Sequence, residues 1–386
     1  MSIADVAREA GVSKTSVSNY LNGRKSRLAE ATIARIRETV ERLNYSPSLG
    51  ARRLSSQTAS RSIAAIIRHD LGYAFESAFF PQVMKGIGDA CAALGYRILL
   101  VASMGRSVQE DIDYALSLGR GIVDGFLLFE LEENDPYIRA FERSGVPYVC
   151  FGRPDDPGVT RWVASDQEGG IVAAVDHLWA HGFRRIALFP GQAGLMVTKL
   201  RVEGFRKALA ARGGAWDESL IQYGFAPGVD AYPVFSRLLA GTGGPDAYLI
   251  RQVDAASFAR ALRERKAAAR RAGLRVGGAT PDAPAAPVIP AAGAGAATDA
   301  AFVEPAVVLA DYFPPEGGAG DADAGGLDGR PYTYVRGHVR HVGFRGASRL
   351  IDLVRGVENE TSELFPTELV VGATCGCIRH GPAEYR

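Results

Sequence analysis

A short segment near the N terminus carries three side chains that could read the edges of DNA bases: Lys14, Thr15 and Asn19. A lysine ammonium donates hydrogen bonds to guanine, an asparagine amide makes a paired contact with adenine, and threonine offers a hydroxyl and a methyl group. Further polar residues of the segment are expected to contact DNA, mainly through phosphates: Ser13, Ser16, Ser18 and Asn22. The alternative for each is a solvated helix residue, so the interpretation depends on the elements that position them.

Three helices are predicted around this segment. Apolar residues at helical spacing over positions 3–10 predict the first helix, and Gly11 follows where a helix stop is expected. Ser13 is a suitable N-cap for a second helix that runs to about Asn22. A third helix carries one apolar stripe, formed by Ile33, Ile36, Val40 and Leu43. Three short helices with a tight glycine-containing turn between the first two predict a helix-turn-helix.

Positive charge is concentrated in this N-terminal region. Residues 1–62 hold 11 Lys or Arg and 5 Asp or Glu, a formal charge of +6, whereas the whole chain carries only +1. This asymmetry indicates a head that binds a polyanion. Charge alone would fit a solvated basic face equally well.

After Ser62 the pattern changes to apolar strand runs that alternate with amphipathic helices. The predicted strands are 63–67, 98–102, 125–129, 148–152 and 186–189. The predicted helices lie near 79–94, 109–119, 137–143, 169–181 and 201–211. Alternation of this kind builds doubly wound parallel sheets, and a chain of 386 residues is long enough for two or three domains.

A stretch rich in alanine, glycine and proline interrupts the alternation. Of the 53 residues in 277–329, 33 are of these three types, which is typical of a flexible insertion. Inside it, the apolar run 306–310 is a candidate strand. Regular signals return with a helix that ends near Arg355 and a strand at 367–371.

Several motifs along the chain point to one family. Residues 3–22 read IADVAREAGVSKTSVSNYLN, and residues 43–48 read LNYSPS, followed by Ala51, Arg52 and Leu54. In the body, SDQEG at 165–169, GFRRIA at 182–187, RVEGFR at 201–206 and FPTELVV at 365–371 are similarly placed. In these motifs the chain resembles the LacI/GalR family of transcription regulators.

The resemblance implies three parts: a head at 1–46, a hinge at 47–60 and a body at 61–386. The hinge of this family becomes helical only on DNA and pushes a leucine, here Leu54, into the minor groove, while Tyr45 and Ala51 are implied as further DNA contacts. An apolar wedge between base steps kinks the duplex. Because two hinges must meet, the implied unit is a homodimer on a near-palindromic operator in double-stranded DNA.

The resemblance also implies an α/β body of two doubly wound parallel-sheet subdomains, similar to periplasmic sugar-binding proteins, with a ligand cleft between them. The residues that match effector-lining positions are Phe79, Phe80, Asp166, Arg201 and Phe225, of which Asp166 is the weakest candidate. The guanidinium of Arg201 would anchor a hydroxyl pair or a carboxylate. The alternatives are core packing for the phenylalanines and a surface ion pair for Arg201.

Two departures from the family pattern stand out. The third helix lacks a Ser or Thr cap, because Ala29 precedes it, and a missing cap costs about 1 kcal/mol. Where the family has an Asn-Asp pair, this chain has Arg251-Gln252-Val253-Asp254, so either Asp254 is the effector-binding acid displaced by one position or that function is lost.

Residues 251–346 match poorly, and we hypothesise two compensating frame changes there, with a natural insertion as the alternative.

Other functional classes find little support in the sequence. The four cysteines and the six histidines lack the paired spacing of a zinc site, so we expect neither a metal nor a cofactor. An α/β enzyme would need a nucleophile elbow or a phosphate loop, and a stand-alone sugar-binding protein would need an export signal. No apolar run reaches the roughly 20 residues that span a bilayer. We therefore expect a cytoplasmic, nucleoid-associated repressor that is controlled by a small sugar-like effector and is not an enzyme.

Overall fold

The computed structural model describes residues 3–21, 26, 28–43, 60–68, 74–75, 78–103, 107–224, 230–241, 243–277, 301–312, 326–357 and 362–376. The chain divides into two compact units. One unit is Met1–Ser62 with Ser117–Asp124, and the other is Ile63–Leu116 with Gly125–Arg386. No helix within the described ranges is long and apolar enough to cross a membrane.

The first unit contains three short helices around a small apolar core. They are α1 (Ile3–Glu9), α2 (Lys14–Leu21) and α3 (Glu30–Arg42). The residues that the helical spacing placed inside are buried together: Val6, Ala7, Ala10, Val17 and Ile36. Gly11 turns the chain between α1 and α2 with a φ of 61°, a left-handed conformation in which glycine avoids the steric cost of a Cβ. Ala29 makes no side-chain cap to α3, as the sequence predicted.

Asp124 forms hydrogen bonds with the backbone of residues 60–62. Its carboxylate accepts hydrogen bonds from the backbone N–H groups of Ser60 (2.6 Å) and Arg61 (2.7 Å). Its own N–H donates to the carbonyl of Ser62 at 2.7 Å. One aspartate therefore fixes the backbone at the point where the chain leaves the unit.

The second unit alternates helices and strands. Its helices are α4 (Phe79–Leu94), α5 (Val108–Gly119), α6 (Pro136–Ser144), α7 (Gln167–Ala180), α8 (Met196–Ala211), α9 (Tyr232–Ala240), α10 (Ala255–Arg271) and α11 (Val339–Val354). Its strands are β1 (Ser62–Ile67), β2 (Arg97–Ala102), β3 (Gly125–Leu128), β4 (Tyr148–Phe151), β5 (Trp162–Ser165), β6 (Ile186–Leu188), β7 (Ala247–Arg251), β8 (Arg275–Gly277), β9 (Ala301–Val303), β10 (Ala306–Tyr312), β11 (Thr333–Arg336), β12 (Glu363–Phe365) and β13 (Glu368–Val370).

The first sheet has the strand order β12-β5-β4-β3-β1-β2, and the registers from β12 to β1 are parallel. Its core joins Ile63 and Leu127 of the strands to Ile87 of α4 and Leu350 of α11, all fully buried. We call this sheet with α4, α6 and α11 the first half of the body.

The second sheet has the order β13-β11-β10-β7-β6 and is parallel except for the antiparallel pair of β11 and β13. Apolar clusters cover both of its faces. We call this sheet with α7, α8, α9 and α10 the second half. The sequence therefore predicted the fold class correctly: two parallel sheets, each wound with helices. It assigned no strand at β5, β7, β8, β9, β11 or β12, which are three to five residues long.

The interpretation of 277–329 as one flexible insertion does not hold for residues 301–312, whereas the candidate strand at 306–310 within it is confirmed as part of β10. Strand β10 pairs with β7 on one side and with β11 on the other, so it lies at the centre of the second sheet. Its residues 306–310 are all buried. The prediction of a flexible insertion was based on the high alanine, glycine and proline content. Small side chains such as alanine also fit a strand that is covered on both faces. The frame-change hypothesis stays a prediction.

The chain crosses between the halves three times, and the crossings lie side by side. Asp166, in the first, donates its N–H to the carbonyl of Phe365 at 2.8 Å. Thr367, in the last, donates its hydroxyl to the carbonyl of Asp166 at 3.0 Å. A Cβ added at Gly337, in the second, would lie 3.2 Å from the Ser165 hydroxyl. The halves are thus joined through one narrow set of adjacent segments.

Candidate ligand pocket and nucleic-acid-binding helix

The start of α2 is capped and exposed. The hydroxyl of Ser13 accepts a hydrogen bond from the N–H of Ser16 at 3.0 Å, which is the geometry of an N-cap. Lys14 and Thr15 are exposed on the first turn, while Val17 is fully buried against the neighbouring helices. The helix therefore presents two of the three predicted base-reading residues, Lys14 and Thr15, together at its N-terminal end.

The other predicted DNA contacts differ in how they are placed. Ser16, Ser18 and Asn19 lie on α2 and are half-buried. The remaining residues of the two predicted sets lie outside the described residues: Asn22, Tyr45, Ala51, Leu54 and Phe225. The hinge interpretation therefore stays a prediction.

A cavity of about 230 Å³ lies between the two halves of the body. It is bordered by residues that follow the carboxyl ends of strands in both sheets, which is where ligands bind in open parallel sheets. The residues that carry the argument below are Phe79, Leu131, Arg153, Arg201, Arg251 and Asp311.

Arg201 makes three side-chain hydrogen bonds at the cavity wall. Its guanidinium donates to the Asp311 carboxylate at 2.7 Å, to the Gln167 amide oxygen at 2.9 Å and to the Pro190 carbonyl at 3.0 Å. Asp311 also accepts from the N–H of Gln252 at 2.9 Å. Arg201 is 5% exposed, so this is a buried, paired anchor and not a surface ion pair.

Asp254 lies behind a second guanidinium. Arg251 donates to both of its carboxylate oxygens, at 2.8 and 3.0 Å. Burial raises the pKa of Asp254, and the neighbouring Asp311 adds to that, while Arg251 acts in the opposite direction. Of this pair, only Arg251 is at the cavity wall. The sequence analysis considered Asp254 as the acid of the effector site. The carboxylate that lines the cavity is instead that of Asp311.

The predicted aromatic and acidic residues separate into lining and structural groups. Phe79 lines the cavity, whereas Phe80 is 5% exposed and packs edge-on against the buried Phe129 and the more exposed Phe75. Asp166 caps α7 by accepting from the N–H of Gly169 at 2.9 Å. We therefore do not carry Phe80 or Asp166 into the proposed binding site.

Backbone hydrogen bonds cross the cleft beside the cavity. The N–H of Met196, the first residue of α8, donates to the carbonyl of Leu131 at 2.8 Å, and the N–H of Glu133 donates to the carbonyl of Gly194 at 3.3 Å. An ion pair between Lys199 and Glu133 accompanies them. We call these contacts the cross-cleft bridge.

Asp311 was missed by the sequence reasoning although a signal was present. It is the first charged residue after the apolar run 306–310, and a polar residue at the carboxyl end of a buried strand is a natural ligand contact. The unusual composition around it hid that signal.

Two family models match the chain. The model of bacterial regulatory proteins of the lacI family matches residues 2–48, and the model of periplasmic binding proteins and the sugar binding domain of the LacI family matches residues 60–226. Together they account for more than half of the sequence.

Curated relatives are similar in sequence over part of their length. The HTH-type transcriptional regulator CelR of Thermobifida fusca is 32% identical over 223 residues, 57% of this chain and 64% of the relative. The HTH-type transcriptional repressor PurR of Aliivibrio fischeri strain MJ11 is 35% identical over 211 residues, 54% of this chain and 60% of the relative. The matched part therefore spans about three fifths of the length of these relatives.

Solved structures agree in fold. The lac repressor dimer bound to operator and the anti-inducer ONPF has a TM-score of 0.66 at 20% identity, covering 97% of this chain and 99% of that one. A CelR–cellobiose complex has a TM-score of 0.61 at 24% identity, with the same coverage. With its helix-turn-helix head, its pair of parallel sheets and both family models in chain order, the chain belongs to the LacI family of bacterial regulatory proteins.

Proposed function

We propose that this protein is a sequence-specific DNA-binding transcription regulator whose operator affinity is set by a small molecule in the cavity of the body. The observation that carries this proposal is the match of the DNA-binding family model to the helices whose second member exposes Lys14 and Thr15. Repression is the favoured sign of regulation, because PurR is described as a repressor. The relatives are regulators, and we propose no catalytic activity.

The proposed division of labour follows the chain. Residues 1–46 read the operator, residues 47–60 form the hinge with Leu54 as the wedge, and residues 61–386 bind the effector and dimerise. In the head, Lys14, Thr15 and Asn19 contact bases, because the N-terminal part of a recognition helix faces the major groove. A dimer would place two such helices on a near-palindromic site.

In the body, the proposed effector contacts are Phe79, Arg201 and Asp311. An aromatic face can stack on a sugar ring, and a paired guanidinium and carboxylate can exchange hydrogen bonds with neighbouring hydroxyls. The favoured effector is a sugar or a sugar derivative. Support comes from the sugar-binding family model and from the cellobiose that the CelR structure contains.

The experiment is a titration of the full chain with DNA from upstream of its own gene, across a salt series. Wild type should bind this DNA more tightly than a scrambled duplex, and Lys14→Ala should lose about 1–3 kcal/mol and change the base preference. Arg8→Ala is the matched control, because it also removes one positive charge from an exposed helix position but lies on α1, where it pairs with Asp5. Equal binding of wild type to upstream and scrambled DNA would refute the proposal.

A further inference from the structure

Helix α10 has an apolar side that faces the core and a basic side that faces solvent. Phe258, Leu262 and Ala269 are fully buried in an apolar cluster of the second half. On the opposite side, the exposed arginines of the helix lie within about 100° of one another around its axis: Arg260, Arg263, Arg270 and Arg271. Arg275, on the following strand β8, is exposed as well. We call these five arginines the basic face.

The carboxylates between α10 and the turn at 326–330 are already paired with other cations. Lys266, on a flank of α10, donates to Glu304 at 2.7 Å and to Asp328 at 2.8 Å. Arg330 forms a second ion pair with Glu304. The side chains of Lys266 and Glu304 are only 11% and 7% exposed, so this network is largely internal. It engages the nearby acidic groups without using any arginine of the basic face.

One arginine of the basic face has a partner. Arg260 pairs with Asp230 and lies over the ring of Tyr232, with its guanidinium carbon 4.1 Å from the ring centre. Arg263 interacts with Asp328 only beyond ion-pair distance. Within the described part of the chain, four of the five arginines form no hydrogen bond or ion pair: Arg263, Arg270, Arg271 and Arg275. The basic face therefore carries positive charge that the described carboxylates do not neutralise.

The helix dipole and the single acid of α10 account for part of this charge. Arg270 and Arg271 are in the last turn of α10, where the dipole favours cations. Glu264, four positions after Arg260, offsets one charge and also accepts a hydrogen bond from a tyrosine hydroxyl. Neither effect accounts for Arg263 in the middle of the helix or for Arg275 on a strand, so an excess of positive charge remains.

The spacing of the arginines fits the backbone of a DNA duplex. At about 1.5 Å of rise per residue, Arg263 and Arg270 are about 10.5 Å apart along the helix axis, and Arg260 and Arg271 about 16.5 Å. A duplex carries one negative charge per about 1.7 Å of its axis, so a face of this length meets several phosphates. A guanidinium binds phosphate oxygens through two parallel hydrogen bonds and stays charged at neutral pH.

We propose that the basic face is a second DNA-binding surface of this protein, which contacts the phosphates of duplex DNA irrespective of base sequence. Duplex DNA is favoured over an acidic protein because the DNA-binding head of the same chain raises the local concentration of DNA. The inference goes beyond the proposed function, since it needs neither an effector nor an operator. The surface adds salt-dependent affinity and no base specificity.

The first measurement is chemical modification of arginines in the full chain by a dicarbonyl reagent, with and without a duplex of scrambled sequence, located by mass spectrometry. We expect the duplex to slow the reaction of Arg263 and Arg270. Arg97 and Arg143 are the internal controls, because they are exposed on the first half and have no ion pair among the described residues. Their reaction should be as fast with the duplex as without it.

The second measurement compares two double variants of the full chain. Arg263→Gln/Arg270→Gln removes two charges from the basic face, and Arg97→Gln/Arg143→Gln removes two charges elsewhere on the body. Both should keep the unfolding temperature of wild type, because all four positions are exposed. Between about 50 and 200 mM salt, wild type and the control should lose about tenfold more affinity for the scrambled duplex than Arg263→Gln/Arg270→Gln, which makes two fewer phosphate contacts.

Four results would overturn the inference. Equal salt dependence in the two double variants would mean that the position of the arginines is irrelevant. Reaction of Arg263 and Arg270 at the same rate with and without the duplex would show that DNA does not contact them. Slow reaction already in the DNA-free protein would show that another part of the chain covers the basic face. Stronger protection by polyglutamate than by an equal charge of DNA would assign the face to an acidic protein.

Discussion

The two halves of the body have the same architecture, but that architecture was easier to predict from sequence in the first half than in the second. In the first half, predicted strands such as 63–67 and 125–129 agree with β1 and β3 to within one residue. In the second half, the central strand β10 lies inside a stretch that composition marks as an insertion. Burial on both faces of a sheet therefore determines whether an alanine-rich segment becomes part of the core. Amino-acid composition alone does not show that burial.

One buried Arg-Asp pair from each half can be compared, Arg68–Asp135 and Arg201–Asp311, and the two have different roles. In the first half, Arg68 donates to Asp135 at 2.5 Å, and Asp135 also caps α6 by accepting from the N–H of Tyr137. In the second half, the pair of Arg201 and Asp311 lines the cavity. The same chemistry therefore holds a helix in one half and is available to a ligand in the other.

The largest expected effect tests whether the second half is packed as tightly as the first. Phe258 of α10 and Phe126 of β3 are both fully buried. Replacing either by alanine should cost about 3–5 kcal/mol of unfolding free energy, measured by urea denaturation. Tyr114→Ala, at a position 57% exposed, should change it by less than about 0.5 kcal/mol. If Phe258→Ala behaved like Tyr114→Ala, the second half would be loosely packed and the comparison would fail.

The next effect compares the two buried pairs. Arg201→Leu and Arg68→Leu each leave a buried carboxylate without its cation, which should cost about 3 kcal/mol in the same assay. The double variant Arg201→Leu/Asp311→Leu should recover part of the loss, because it leaves no unpaired charge. A double variant that is less stable than Arg201→Leu would show that the pair itself, and not the orphaned charge, dominates.

A smaller effect concerns the cross-cleft bridge that joins the halves. Met196→Pro removes the N–H that donates to Leu131, yet proline is favoured at the first position of a helix and Leu195 before it is already extended. Met196→Ala loses the same side chain and keeps the N–H. We expect the proline variant to be less stable than the alanine variant by about 1 kcal/mol, with faster hydrogen exchange at the Glu133 amide. Equal exchange in the two variants would mean that the bridge does not hold the halves together.

The smallest effect is a pH dependence at Glu168, which pairs with Arg153 of the first half and Lys207 of the second. The hydrogen bond from Lys207 holds the pKa of Glu168 below its ordinary value against the opposing effect of burial, and Arg153 adds to the lowering. Because the folded pKa is depressed, this stabilisation is present above the ordinary glutamate pKa and is lost as the pH falls through the depressed one. Unfolding temperatures across this acid range should fall more steeply for wild type than for Glu168→Gln. Parallel curves would show that Glu168 contributes nothing.

The sequence predicted the head and the first half well because their signals are local. Helical spacing placed Val6, Val17 and Ile36 together, and apolar runs marked the strands. The cavity was harder to predict, because its residues come from distant segments. Arg201 and Phe79 were found through the family resemblance, whereas Asp311, 110 positions after Arg201, is brought beside it only by the strand order of the second sheet.

The central claim is that the ligand in the body controls the head, and one measurement tests it most directly. Operator affinity of the full chain would be measured with and without a sugar or sugar derivative that protects it from unfolding, in wild type and in Phe79→Ala. Coupling between sites typically changes affinity by 5- to 150-fold, so we expect a change of at least about fivefold in wild type and a smaller one in Phe79→Ala at the same ligand concentration. An operator affinity that stays the same in wild type with the ligand bound would contradict the account, because the cavity and the head would then act independently.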